Sequence, residues 1–283
     1  MMVTPGGTRI ASPFKYTSLR LSDNAVPLVY GPSKGGRAYS VYQVLEGWRG
    51  SLRLLTDDGS TPVISPDGRF VAWQLATSAD GYARVAGWDV ERRTPLAHTV
   101  TFPFKPTCCD NPLTLNAVDN QGRVFATGGG VAWLAPLRSG GRVAPIQGLR
   151  RWYYIESVAG DGLILTSNRR AVVGRLRSRT FIESQTRIGG AAGGSFSATG
   201  GSLAYHDRDG GVRVRDSASG DVQTIAPPPG GRFGPVTWED STHVLLETVV
   251  GETGRRTAWV RCSVDVLDYE IALPAGRTYT FPF

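Results

Sequence analysis

The sequence predicts an all-β fold built from six repeated units, on three observations. Turn signals of the Asp-Gly kind recur before apolar strands at a nearly constant interval. The 283 residues carry 36 Gly, 18 Pro and seven Trp but only 19% charged residues, which suits short strands and tight turns and suits solvated helices badly. No window shows sustained apolar spacing at helical period with a cap at each end.

The clearest unit runs from Ser65 to Gly87. Asp67-Gly68 and Asp80-Gly81 bracket the apolar strand Phe70-Val-Ala-Trp73 and introduce a second, so the piece reads as a β-meander. Related turns precede apolar runs along the rest of the chain. The anchors are Asn24, Gly68, Gly122, Gly162, Gly201 and Ser241, spaced by 44, 54, 40, 39 and 40 residues. A period near forty with about four short strands per unit predicts propeller blades, and the turn chemistry excludes a solenoid of helical pairs. The expected architecture is therefore a single-domain, six-bladed β-propeller over residues 1–283.

Each unit supports that reading in its own way. Thr8 to Leu21 precedes the first anchor, so its early residues are expected to complete the last blade and its later ones to open the first, which would remove exposed sheet edges. Thr101-Phe-Pro-Phe104 and Thr280-Phe-Pro-Phe283 read as outer strands or wedges between blades. The long 54-residue interval places an insertion, Lys105 to Pro112, in or after the second unit, and a long loop on a rigid scaffold either carries function or is ornamental. In the fifth unit, Ser202–His206, Val212–Asp216 and Val222–Ala226 read as successive strands parted by Asp207–Gly211 and Ser217–Asp221.

Ser65-Pro-Asp-Gly-Arg-Phe-Val-Ala-Trp73, Gly87-Trp-Asp-Val90 and Arg213-Val-Arg-Asp216 resemble the blade motifs of TolB-type and WD40-like propellers. The early Gly-His dipeptide of strict WD40 repeats is missing, so the TolB-type variant is the better match. The resemblance implies a fold and a generic role in holding partners. It transfers no active site.

Candidate chemistry is sparse. Cys108 and Cys109 are adjacent, and with Asp110 they lie in the insertion; a vicinal bridge, a bridge from one of them to Cys262 and three reduced thiols all stay open. Three cysteines without C-x-x-C spacing do not predict a zinc site. His206 with Asp207 and Asp209 forms the densest polar cluster, either a cation or acid–base site or a hairpin turn serving its own backbone. No nucleophile elbow or phosphate-cradling loop is present. In the fourth unit, Arg169 and Arg170 mark a turn, and Arg175, Arg177 and Arg179 alternate along an expected strand. That row either grips an anionic partner or is a solvated outer strand.

The formal charge of +7 disfavours basic partners and does not by itself imply nucleic acid. No stretch approaches the apolar length of a membrane span, no secretory signal is visible, and the compartment stays open. The expected function is a non-catalytic binding or scaffold module, without cofactor or metal, that presents loops to a protein, a small ligand or an anionic surface. The alternative is a propeller hydrolase or lactonase with an axial divalent cation, whose ligands would come singly from residues such as Asn116, Asp119, Glu156, Asp161, Asn168 and Asp240.

Overall fold

The computed structural model describes residues 2–3, 9–10, 18–20, 28–32, 39–45, 51–59, 62–75, 80–96, 99–103, 113–138, 141–149, 154–167, 170–188, 194–197, 199–207, 209–227, 229–238, 241–250, 255–265 and 269–273. Among them are no helices. Six antiparallel sheets of four or five strands follow one another along the chain.

The first sheet is Ser18–Arg20, Leu28–Pro32, Tyr39–Leu45 and Ser51–Gly59. The second is Val63–Ile64, Phe70–Gln74 and Arg84–Asp89, with two short outer pieces, Thr94–Pro95 and Val100–Thr101, both on Arg84–Asp89. The third comprises Thr114–Val118, Arg123–Gly128, Val131–Pro136 and Ala144–Pro145, and the fourth Tyr154–Ala159, Gly162–Ser167, Arg170–Arg177 and Thr180–Ile188. The fifth runs Gly194–Phe196, Ser202–His206, Val212–Asp216 and Val222–Ile225. The sixth is Gly231–Trp238, His243–Val250, Arg255–Ser263 and Tyr269–Leu273. One compact unit holds the first three sheets, through Ile146, and a second, Gln147–Tyr279, holds the last three.

Burial changes from strand to strand within a sheet, and the sequence pattern follows it. In the second to fifth sheets the second strands carry buried apolar runs: Phe70 to Trp73, Val124 to Ala126, Leu163 to Leu165 and Leu203 to Tyr205. Third strands face a neighbour on one side and alternate, as in Arg84–Asp89, where Val85, Gly87 and Asp89 are buried. Outer strands meet solvent; Val222, Gln223 and Thr224 are exposed. In the first unit, Phe70, Phe102, Val118, Val124 and Leu137 make a core between the second and third sheets. In the second, Val212, Val214, Phe233, Leu246 and Cys262 do the same for the fifth and sixth.

Every described anchor falls in the turn between the first and second strands of its sheet: Gly68, Gly122, Gly201 and Ser241 lie in the turns, and Gly162 begins the strand after one. Asn24 and Thr280–Phe283 lie outside the described residues. The N-terminal expectation needs correction. Ser18–Arg20 does open the first sheet, but Arg9–Ile10 pairs with Met2–Val3, and the sixth sheet takes all four of its described strands from Gly231–Leu273.

Candidate functional site

Three buried polar residues, Ser65, Asp119 and Ser197, serve one turn design. At the end of the first strand, a side-chain oxygen accepts the backbone N–H that begins the second, and so holds the turn shut. In the second sheet Ser65 Oγ accepts from Phe70 N at 2.8 Å and donates to Asp67 Oδ1, while Ser65 N bonds Phe70 O at 2.8 Å. In the fifth, Ser197 Oγ accepts from Ser202 N at 3.0 Å, with Ser197 N on Ser202 O at 2.9 Å. The third sheet uses a carboxylate in the same place. Asp119 Oδ1 accepts from Gln121 N at 2.9 Å and Arg123 N at 2.8 Å, and Oδ2 from Arg123 Nε at 2.6 Å. Burial pushes the Asp119 carboxyl above its ordinary range, against the opposing pull of Arg123. Asn120 of this turn accepts from Asp67 N at 3.0 Å, tying the second and third sheets together.

A second device closes the turn after the third strand. Asp89 Oδ1 accepts from Arg92 N at 3.0 Å, with Arg69 on Oδ2 at 3.2 Å. Asp216 Oδ1 accepts from Ala218 N at 2.8 Å and Ser219 N at 2.6 Å, and these bonds hold its carboxyl below the usual range. The Trp-Asp-like strand ends thus serve the backbone. So does the histidine cluster: Asp207 Oδ1 accepts from Asp209 N at 3.0 Å and Gly211 N at 2.8 Å. His206 is buried beside it, and burial lowers its pKa against the opposing pull of Asp207.

The described members of the axial set lie at the following places in their own sheets. Asn116 Oδ1 accepts from Thr127 Oγ1 at 3.2 Å, Asp119 is spent on its turn, and Asp161 lies exposed in the turn before Gly162. Asn116 and Glu156 each sit at a β-bulge in the first strand of their sheet. Asn168 and Asp240 lie outside the described residues. Among the described residues no group of three or more His, Cys, Asp or Glu stands together.

Of the expected partner-binding residues, Cys108, Cys109, Asp110 and Arg169 lie outside the described residues. Arg170 opens the third strand of the fourth sheet. Arg175 and Arg177 are exposed on one face of that strand, with Leu176 buried opposite. Arg179 does not continue the row. It lies in the hairpin turn with Ser178, whose φ of 57° ends the strand. The turn is pinned by Gln147, whose N bonds Arg179 O at 2.8 Å and whose O accepts from Phe181 N at 2.8 Å. Cys262 is buried, its Sγ within 3.5 Å of the Ser263 carbonyl, to which it donates.

Arg175 stands at a cleft of about 340 Å³ between the fourth and fifth sheets. Val173, Gly162, Phe196 and Leu203 make its apolar lining, and Arg175, Arg215 and Asp161 bring charge to it. The registers give two matching rows, Ala159, Gly162, Arg175 and Ile182 on the fourth sheet and Phe196, Leu203, Arg215 and Val222 on the fifth, of which all but Ile182 and Val222 line the cleft. Each row reads apolar, apolar, arginine, apolar from first strand to last. Its outermost residues, Ile182 and Val222, are 46% and 45% exposed, the large hydrophobic side chains most open to water among the described residues. Arg175 Nη2 donates to Ser217 O at 3.3 Å across the two sheets. Sequence reading found Arg175 but not the cleft, because Arg215 and Phe196 join it only through strand register.

No family model matches the chain, and no curated protein matches it in sequence. Solved structures do. The β-propeller domain of the Trilobed protease from Pyrococcus furiosus is similar with a TM-score of 0.60 at 11% identity, over 92% of this chain and 86% of that one. An acylaminoacyl peptidase bound to a chloromethyl ketone gives 0.58 at 10% identity, over 92% of this chain and 46% of that one. The chain thus spans less than half the length of that peptidase. A Mitotic Checkpoint Complex structure gives 0.54 at 17% identity, over 99% and 83%. At such identities the likeness concerns the fold alone, and the fold is a β-propeller, as the TolB-type and WD40-like resemblance implied.

Proposed function

We propose, from the premise of a β-propeller fold, that the six sheets are the blades of one domain. On this reading the chain is a non-catalytic binding module that takes an acidic segment of a protein partner along its fourth and fifth sheets. One observation carries the reading. Arg175 and Arg215 line a cleft together with Val173, Phe196 and Leu203, and Arg177 lies exposed on the same strand face as Arg175, with Arg179 in the hairpin turn beyond it. Guanidinium groups hold carboxylates through charge-assisted bonds, and a pinned hairpin presents them with little ordering cost. The polar lining of the cleft, Arg175, Arg215, Asp161, Thr199 and Ser217, offers two guanidinium groups against one carboxylate, with two hydroxyls and no imidazole or thiol.

Retention on immobilised poly-L-glutamate tests the reading. The Arg177→Glu/Arg179→Glu variant is expected to elute at much lower salt than the parent, and a charge-matched Arg138→Glu/Arg142→Glu control is expected to elute nearly with it. Equal loss in both variants would reduce the interaction to net charge and overturn the proposal.

A further inference from the structure

The cleft exists because two sheet junctions built on the same backbone plan are filled differently. The hydrogen bonds that close each second-to-third strand pair give the correspondence. Val90 N bonds Arg69 O, Leu137 N bonds Gly122 O, Leu176 N bonds Asp161 O and Ser217 N bonds Gly201 O. By that register Gly162 takes the place of Phe70, and Arg175 that of Asp89. In the following sheets, Phe196, Leu203 and Arg215 take the places of Val118, Val124 and Ala135.

Between the second and third sheets the position is solid. Phe70 is fully buried, packs in one cluster with Val118, Val124 and Ala135, and lies within van der Waals reach of a Cβ on Gly122. Between the fourth and fifth sheets the large residue has changed sides. Gly162 contributes no side chain, and Phe196 reaches across to it, its Cζ 2.9 Å from where a Gly162 Cβ would lie. The exchange does not refill the space: Phe196 is only half-buried, and about 340 Å³ stays open beside it. Where the solid junction has buried Ala135 and the acid Asp89, the open one has Arg215 and Arg175. A void lined only by apolar atoms would cost stability and offer no selectivity. This one has an aromatic wall, two guanidinium groups against the single carboxylate of Asp161, and an apolar residue, Ile182 or Val222, outward of each arginine.

We infer that the cleft is a binding site for a carboxylate borne on a flat apolar group. The apolar group takes the open volume beside Phe196 and Leu203, and the carboxylate accepts from Arg175 and Arg215. Its volume lies at the lower end of small-ligand pockets, which suits one aromatic ring with a short acidic arm. That chemistry belongs both to free aryl carboxylates and to the C-terminus of a peptide ending in an aromatic residue. The inference rests on the binding-module reading and narrows it from a charged surface to a shaped one.

Calorimetric titration of the full chain with 3-phenylpropanoate, N-acetyl-glycyl-phenylalanine and the amide of each tests it. Each acid is expected to bind about 10-fold or more tightly than its amide, and Arg175→Gln and Arg215→Gln each to weaken acid binding by about 10-fold while leaving amide binding unchanged. Tighter binding of the dipeptide than of the free acid identifies a peptide terminus as the occupant, and the reverse a free carboxylate. The Gly162→Phe/Phe196→Val double variant copies the solid junction and is expected to keep the melting temperature and lose binding. Acid and amide binding alike, or a folded double variant that still binds, would overturn the inference, and the arginine variants decide it if the double variant does not fold. No binding of either acid would overturn it too, while poly-L-glutamate retention would still uphold the broader reading.

Discussion

Asp119 is the residue on which the turn design can be tested hardest. It is fully buried, and it satisfies two backbone N–H groups and the side chain of Arg123, which is itself 19% exposed. Asp119→Ala removes all three bonds and strands a largely buried guanidinium. Breaking a buried pair from one side costs about 3–5 kcal/mol, and each orphaned backbone donor carries a penalty of about 1–3 kcal/mol that overlaps with it. A total near 4 kcal/mol is expected, on the order of the pair penalty alone, because the losses share one site. Asp119→Asn keeps an Oδ1 acceptor for Gln121 N and Arg123 N but loses the charge and the Oδ2 acceptor of Arg123 Nε, at about 1–3 kcal/mol. Urea titration followed by tryptophan fluorescence reads the difference. The pH dependence gives a second readout with a definite sign. Burial raises the folded carboxyl above its ordinary 3.8, so folding takes up a proton between that value and the raised one. Stability from this group therefore rises as pH falls through the window, and the wild type gains on Asp119→Asn there. An alanine variant within about 0.5 kcal/mol of wild type, or an asparagine variant as damaging as alanine, would refute the reasoning.

Other outcomes follow from the same contacts. His206 is the opposite case: its folded pKa lies below the ordinary 6.5, so its contribution is present above 6.5 and is lost as pH falls from there through the lowered value, and His206→Gln is expected to flatten the melting-temperature profile within that window. Phe70→Ala, which empties the solid junction, is expected to cost about 3–5 kcal/mol by denaturant titration. Gly87→Ala places a Cβ 2.8 Å from Leu96 and Leu137 and 2.9 Å from the Val71 carbonyl, and because that carbonyl belongs to a buried strand pair the substitution is expected to lower stability by about 1–3 kcal/mol.

The sheet order was legible because its punctuation is stereochemical. Gly68 and Gly122 have φ of 68° and 73°, a conformation glycine adopts without strain, so their positions survive in the sequence as turn signals. In the fourth and fifth sheets the residues bearing that burden are Gly160 and Gly200, one or two positions before the chosen anchors Gly162 and Gly201. The frame of Ser65, Asp119 and Ser197 was not legible, because a hydroxyl and a carboxylate perform the same bond and no letter repeats. Nor was the cleft. Its defining residue is a glycine notable for the side chain it lacks, and Arg215 meets Arg175 only once two sheets are in register. The error at Arg179 has a simple cause: a left-handed Ser178 ends the strand, and alternating arginines carry no sign of it.

The strand pairings also bear on how the chain reaches this structure. In five of the six sheets every strand pairs with its sequence neighbour, and the exception, Val100–Thr101, returns only as far as Arg84–Val85. Loop closure for such pairings is cheap, so each meander can form before the slower docking of one sheet on the next. Folding rate should then depend on the side chains that fill the junctions more than on those that shape the turns. An open junction such as the one at Gly162 would be among the last places to consolidate.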